Sequence, residues 1–409
     1  MKTISRNFIL LLSFLATISI NCGAQDWPQW RGPNRNDQVV GFKAPQTWPS
    51  QLAQTWKVTI GTGDATPALV NNKIYAFGKM GGNEVLQCID AATGKQIWQA
   101  AGYPSAEITG PAASHPGPRG SVAVADNKVV TFGAWGDLAC YDASNGKLIW
   151  RNEAYKGQVP QFATGMSPLI YDGVVFAHLG GPDKGTFIAL NLANGTEKWK
   201  VDGESPTYSS PVLLDIDGTK QIVFQAQTKL VSFATADGKL MWEYNTPIGT
   251  GRVQICSSPV IDNNKIYFTG LNNGVNAIEV KKQGSAFTVS ELWKNPGFST
   301  GYNTLLLKEG FLYGFSGQGG KMFCVNASNG QTAWEGDIAF QSFGTLVDAG
   351  SVIVGLSGNS KLVVFKPNGQ KFDMVSLIDL TEKGIYAQPI LTGNKIYIKD
   401  TDSLVLFTL

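Results

Sequence analysis

An all-β fold is predicted for this 409-residue chain: an eight-bladed β-propeller of four-stranded antiparallel blades, its ring closed by an N-terminal strand. Three observations predict it. One phrase recurs at 88–98, 140–150, 189–199, 232–242 and 324–334, each time with a tryptophan four residues after a glycine. A second phrase alternates with it, starting at Thr66 and again at Ser121, Ser167, Ser210, Ser258, Asn303, Gly344 and Gln388. This makes eight units over 344 residues, or 43 per unit. That period, built from short alternating apolar runs cut by Asn-Asn, Asp-Gly and Asn-Gly turns, is the mark of four-stranded blades. Finally, the eighth unit stops at Leu409 one strand short, while a Trp-bearing stretch, 52–60, precedes the first unit with no repeat before it. Joining the two removes an open edge and an apolar seam.

Taken in order, residues 1–24 carry Lys2 and Arg6 and then an apolar run, 8–20, too short to span a bilayer, which needs about 20 residues. This is a secretory signal peptide, and cleavage after Ala24 leaves Gln25 first. The alternative is a lipoprotein in which Cys22 is acylated and kept, the one route by which this chain would meet a membrane. Residues 25–51 form a leader. Residues 52–409 form a single propeller domain, with Trp56 at the blade position of Trp98 and Trp150. The recurring tryptophans are expected to wedge between neighbouring blades, and the turn glycines to supply positive φ. Two units are degenerate: 277–293 carries a longer turn, and in 365–372 Phe372 is expected to replace the tryptophan. Cys88, Cys140 and Cys324 share one repeat position and read as small buried hydrophobes.

Lys and Arg number 33 against 31 Asp and Glu, and loss of residues 1–24 balances the two signs. A general polyanion binder needs a basic face, so nucleic acid is not an expected partner. Only His115 and His178 are present, which argues against a multi-histidine metal or catalytic centre. The sequence has no zinc-protease helix or P-loop. Asp215-Ile-Asp-Gly218 lacks the further acids of a calcium loop and reads as a hairpin turn.

The alternating phrases resemble the repeats of the pyrroloquinoline-quinone-type (PQQ-like) β-propellers, as an exported bacterial member. The opening Asp26-Trp-Pro-Gln-Trp-Arg-Gly-Pro33 and Gly117-Pro-Arg-Gly-Ser121 add to the likeness. The resemblance implies the propeller fold over nearly all of 52–409. For function it implies two things. Some bearers are quinone- and calcium-dependent dehydrogenases. Others are scaffolds without quinone, such as the eight-bladed lipoprotein of the outer-membrane β-barrel assembly machinery. The adjacent Cys-Cys of many such alcohol dehydrogenases is missing here, as are the long insertions that wall their pocket.

In a propeller the segments entering each first strand share a face with the connections between second and third strands. That variable loop face is the expected site. Its candidate ligand-binding residues are Asp64, His115, Arg119, Trp135, Gln161, Tyr208, Arg252, Gln254, Tyr302, Gln341, Tyr386 and Gln388. Arg119 and Arg252 suit a carboxylate clamp, and Trp135, Tyr302 and Tyr386 suit a flat ligand or a sugar face. No residue is assigned as catalytic or as a metal ligand, and no cofactor is expected. The reading is a non-enzymatic exported protein, periplasmic or envelope-associated, that binds an envelope protein or a small ligand on its loops. The alternatives are a quinoprotein dehydrogenase using pyrroloquinoline quinone and calcium, and a carbohydrate-binding or carbohydrate-active propeller.

Overall fold

The β-branched and aromatic runs pair into hairpins because their two-residue turns accept left-handed backbone. Asn71 and Asn72 sit at φ 51° and 58°, and Asp126 and Asn127 at 48° and 55°, as tight hairpin turns of this hand require. Asp217 and Gly218 are the same kind of turn, joining Val212–Ile216 to Thr219–Gln225. The computed structural model describes residues 25–105, 107–182, 184–246, 254–380 and 384–409. The expected signal segment and Cys22 lie outside these residues. The described strands form eight antiparallel sheets of four strands, one with a two-residue addition. Blades 1 to 7 are consecutive in sequence: 68–99, 123–152, 169–203, 212–245, 260–295, 306–339 and 344–379. Blade 8 takes three strands from 390–408 and its outer strand from Ala53–Thr59. There Trp56 lies opposite Leu406 and Thr59 opposite Ser403, so the ring closes as the sequence predicts.

The repeat phrase joins blades as well as shaping them. Gly94, Gly146, Gly195, Gly238 and Gly330 all have φ near +72°. Each lies against the tryptophan ring of the preceding blade: Trp56, Trp98, Trp150, Trp199 and Trp293. Most of these indoles also donate across the junction, Trp98 to the Ala143 carbonyl at 3.2 Å and Trp150 to that of Leu192 at 2.9 Å. The glycine thus serves twice, for its backbone hand and for the close approach of a ring. A Cβ at Gly146 would sit 2.5 Å from Trp98. Gly146→Ala is therefore expected to cost about 2 kcal/mol or more, from left-handed strain plus displacement of the indole. A lowered urea midpoint with unchanged slope checks it.

Blade 7 corrects one expectation. Its third and fourth strands place Ser376, opposite Val364, where other blades have tryptophan. Phe372 lies in the preceding turn and packs on Trp334 of blade 6, ring centroids 5.5 Å apart. The apolar cluster that unites blades 7, 8 and 1 also contains Trp27, Val39 and Trp48 of the leader. Cys88, Cys140 and Cys324 are buried without disulfides, and burial pushes their thiols up to about 11, 12 and 12.

At the hub, a Ser or Thr at the start of six units accepts an amide from the preceding part of the ring. The Thr66 amide donates to Ser121 Oγ, Ser121 to Ser167, Ser167 to Ser210 and Ser210 to Ser258, at 2.9–3.2 Å. The Ser258 amide donates to Thr304 Oγ1, and the Gln388 amide of blade 8 donates to Thr66 Oγ1 at 2.9 Å. Blade 7 has Gly344 at this position and so brings no hydroxyl there.

His178, in the strand Val174–Gly180, is wholly buried, stacked on Phe187 and 2.9 Å from the Glu204 carbonyl. Burial pushes its imidazole from 6.5 down to about 3. Between those values the unfolded chain binds a proton that the folded chain refuses, so stability falls as pH falls through this window. Wild type is expected to lose about 2 kcal/mol more than His178→Gln between pH 7 and pH 5, read from urea midpoints.

Candidate functional site

The leader decides what kind of site the channel can be. It lies on the turn face, where the Asn71 amide donates to Asp26 Oδ1 and the Lys43 amide to the Gly393 carbonyl. Trp27 pairs with Leu69 of blade 1, and the Val39 amide donates to Asp348 of blade 7. Two arginines then enter the channel. Arg31 Nε meets Asp37 Oδ2 at 2.5 Å and its Nη2 donates to the Leu305 carbonyl. Arg35 donates to the carbonyls of Ser167, Pro168 and Pro211, and burial holds its guanidinium down at about 9. Burial also pushes the Asp37 carboxyl up, against the pull of Arg31 and Gln388. The leader therefore plugs the channel from the turn face.

On the loop face this leaves a funnel of about 380 Å³ with Trp30 of the leader in its lining. Its walls come from the segments that enter the first strands. Asp64, His115, Arg119, Tyr208, Gln254, Tyr302 and Tyr386, seven of the sequence-predicted residues, line it together. His115 Nδ1 lies 3.0 Å from Asp64 Oδ2, which orients the imidazole. The ring of His115 meets Tyr386 edge-on at 4.3 Å, Tyr386 stacks on Phe343 at 4.3 Å, and Phe343 meets Tyr302 edge-on at 6.4 Å. Tyr302 donates its hydroxyl to Gln254 Oε1 at 3.0 Å. Elsewhere on the wall the Phe162 amide donates to the Tyr208 hydroxyl at 3.1 Å. Burial raises the Tyr386 phenol, and Asp64 and Tyr302 add to the shift.

Other expected residues are placed differently. Arg119 reaches the funnel but not as a clamp. It donates to the carbonyls of Phe162, Ala112 and His115 at 2.6, 3.3 and 2.7 Å, pinning two loops together. Burial lowers its pKa. Trp135 is 37% exposed on the rim, over Gly157, and does not line the funnel. Gln161 and Gln341 are exposed, because Phe162 and Phe343 on the same loops turn inward instead. Gln388 is buried below, its Nε2 on Asp37 Oδ1 at 2.5 Å. Arg252 lies outside the described residues. Phe162, Phe343 and Trp30 are lining residues that the sequence reading missed. The two phenylalanines stood in loops already assigned to the mouth, and Trp30 in the leader motif, so their aromatic character was the available signal.

Residues 81–336 match the sequence family described as outer membrane protein assembly factor BamB. The chain belongs to that family. A BamB of Yersinia pestis is 22% identical over 392 residues, spanning 90% of this chain and 91% of that protein. The crystal structure of BamB from Moraxella catarrhalis superposes with a TM-score of 0.64 at 16% identity, covering 88% of this chain and 98% of that one. A europium-containing methanol dehydrogenase gives a TM-score of 0.73 at 12% identity, covering 94% and 98%. At such identities the two structures speak for the shared propeller fold alone.

Proposed function

We propose that this chain is a non-enzymatic, exported envelope protein that binds other proteins through its loop face in outer-membrane protein assembly. The observation that carries this is the end-to-end match to a BamB, 90% of one chain on 91% of the other. The site agrees with it. Asp64, His115 and Arg119 of the funnel wall are engaged with one another or with backbone carbonyls, as in a braced binding surface.

The quinoprotein alternative does not fit the described residues. A quinone tricarboxylate with calcium calls for cationic donors and clustered oxygen ligands. Arg119 is spent on three carbonyls, and no group of three or more His, Cys, Asp or Glu among the described residues could hold a metal ion.

A photo-crosslinking residue at Tyr302, 52% exposed on the funnel rim, is expected to trap an outer-membrane assembly protein in intact cells. The same probe at Asn145, in a turn on the opposite face, is not. Equal adducts from both positions would overturn the loop-face assignment. Dye reduction after loading with quinone and calcium would overturn the non-enzymatic one. The mass of the mature chain separates an N-terminal Gln25 from an acylated Cys22.

A further inference from the structure

We infer that the funnel is a socket for a planar, uncharged aromatic ring. This deepens the binding role proposed above by naming the chemistry that enters the loop face. Three features of the wall lead there.

The first is charge. Among the described residues, Asp64, His115 and Arg119 are the acidic and basic side chains of the lining, and each is already engaged within the wall. A charged ligand would leave water for a site whose charges are committed elsewhere, a cost without compensation. The second is polarity. Tyr302 is bonded to Gln254, and Ser121, Ser167 and Ser210 accept amides of neighbouring blades. A sugar presents many hydroxyls, and wall groups that already hold a bond within the protein gain less from a new one. The third is shape. His115, Tyr386, Phe343 and Tyr302 form an unbroken arc of rings in edge and face contact, with Phe162 and Tyr208 also in the lining. Aromatic groups add to such arcs by offset or edge-on contact worth about 0.5–1.5 kcal/mol per pair beyond simple burial. The volume of about 380 Å³ is near the small end for ligand pockets, sized for one ring system and its linker.

The backbone is shaped around this arc. The ring of Phe343 lies directly on the Cα of Gly358, whose amide donates to the Phe343 carbonyl at 3.2 Å. Any Cβ there would collide with the ring. Gly358 is not at positive φ, so alanine suits its backbone and displaces only the phenyl group. Gly358 is thus a positioning residue for the arc.

The test titrates N-acetyl-L-tryptophanamide into the exported protein, followed by saturation-transfer NMR. Saturable binding with a Kd below about 1 mM is expected, weakened about ten-fold by Phe343→Leu and again by Gly358→Ala. Phe343→Leu keeps apolar bulk, and Gly358→Ala keeps every ring, so melting curves that match wild type assign the loss to the arc. Non-saturable binding overturns the inference. So does equal binding of the cyclohexylalanine analogue, or tighter binding of maltotriose. A blocked Gly-Trp-Gly peptide binding more tightly than indole identifies a partner's side chain as the source of the ring. The reverse order identifies a free aromatic molecule. Crosslinks from Tyr302 that persist while tryptophanamide binding is absent would leave the partner role standing and remove the socket.

Discussion

A chain in which Ala53–Thr59 is replaced by a Gly-Ser linker of equal length should no longer yield a stable monomer. This strand is the outer edge of blade 8, and its removal leaves Ser403–Thr408 paired on one side only. The loss extends beyond one sheet. Trp56 lies 5.9 Å from Tyr397 within blade 8, and its ring also covers Gly94 of blade 1. The Tyr397 hydroxyl in turn donates to the Ala91 carbonyl, so the last junction of the ring depends on the same few groups. An open six-residue edge invites pairing with another copy, so oligomers or aggregates are the expected products. Trp56→Ala alone should cost about 3 kcal/mol, the low end for a large aromatic truncation because this ring is only partly buried. Size-exclusion chromatography and urea unfolding read both effects, and a peptide of residues 50–61 added in trans should rescue the linker variant. A linker variant that stays monomeric with an unchanged urea midpoint would show that the closing strand is dispensable.

The ring was legible in the sequence because its determinants are local and repeated. A tryptophan at fixed distance from a glycine needs no tertiary knowledge to be seen, and a missing strand at one end points to a surplus strand at the other. Blade 7 shows where that legibility stops. Phe372 has the right character and nearly the right place, but a turn longer than in the regular blades moves the register and Ser376 takes the position. The funnel was half legible. Chain order assigned the correct loops to the mouth, since that follows from strand count. Which residue of a loop turns inward depends on packing beneath it, and so Phe162 and Phe343 displaced Gln161 and Gln341. Arg119 had the right place and a different task, because its partners are carbonyls, which sequence does not distinguish. The leader was the least legible part. Its contacts reach the first strands of blades far away in sequence, and nothing periodic announces them.

That leader supplies the second large effect. Asp37→Asn is expected to cost about 3 kcal/mol and to weaken ring binding in the funnel at the same time. Arg31 is 1% exposed, and its guanidinium has Asp37 and the Leu305 carbonyl as partners. Removing one member of a buried pair strands the other, which typically costs about 3–5 kcal/mol. Asparagine isolates the charge: Asp37 is left-handed at φ 61°, a conformation asparagine tolerates. The same substitution loosens the leader's hold on blade 8 through Gln388. Trp30, one residue before Arg31, lines the funnel. If the ion pair latches the leader, Trp30 leaves its place when the latch fails, and tryptophanamide binding falls together with stability. Arg31→Met combined with Asp37→Asn removes both charges, so it should recover more than half of the lost stability, as buried pairs replaced by apolar groups often do. Recovery of binding in that double variant would show that the plug, rather than its charges, builds the floor. Stability lost with binding intact would instead separate the leader from the funnel.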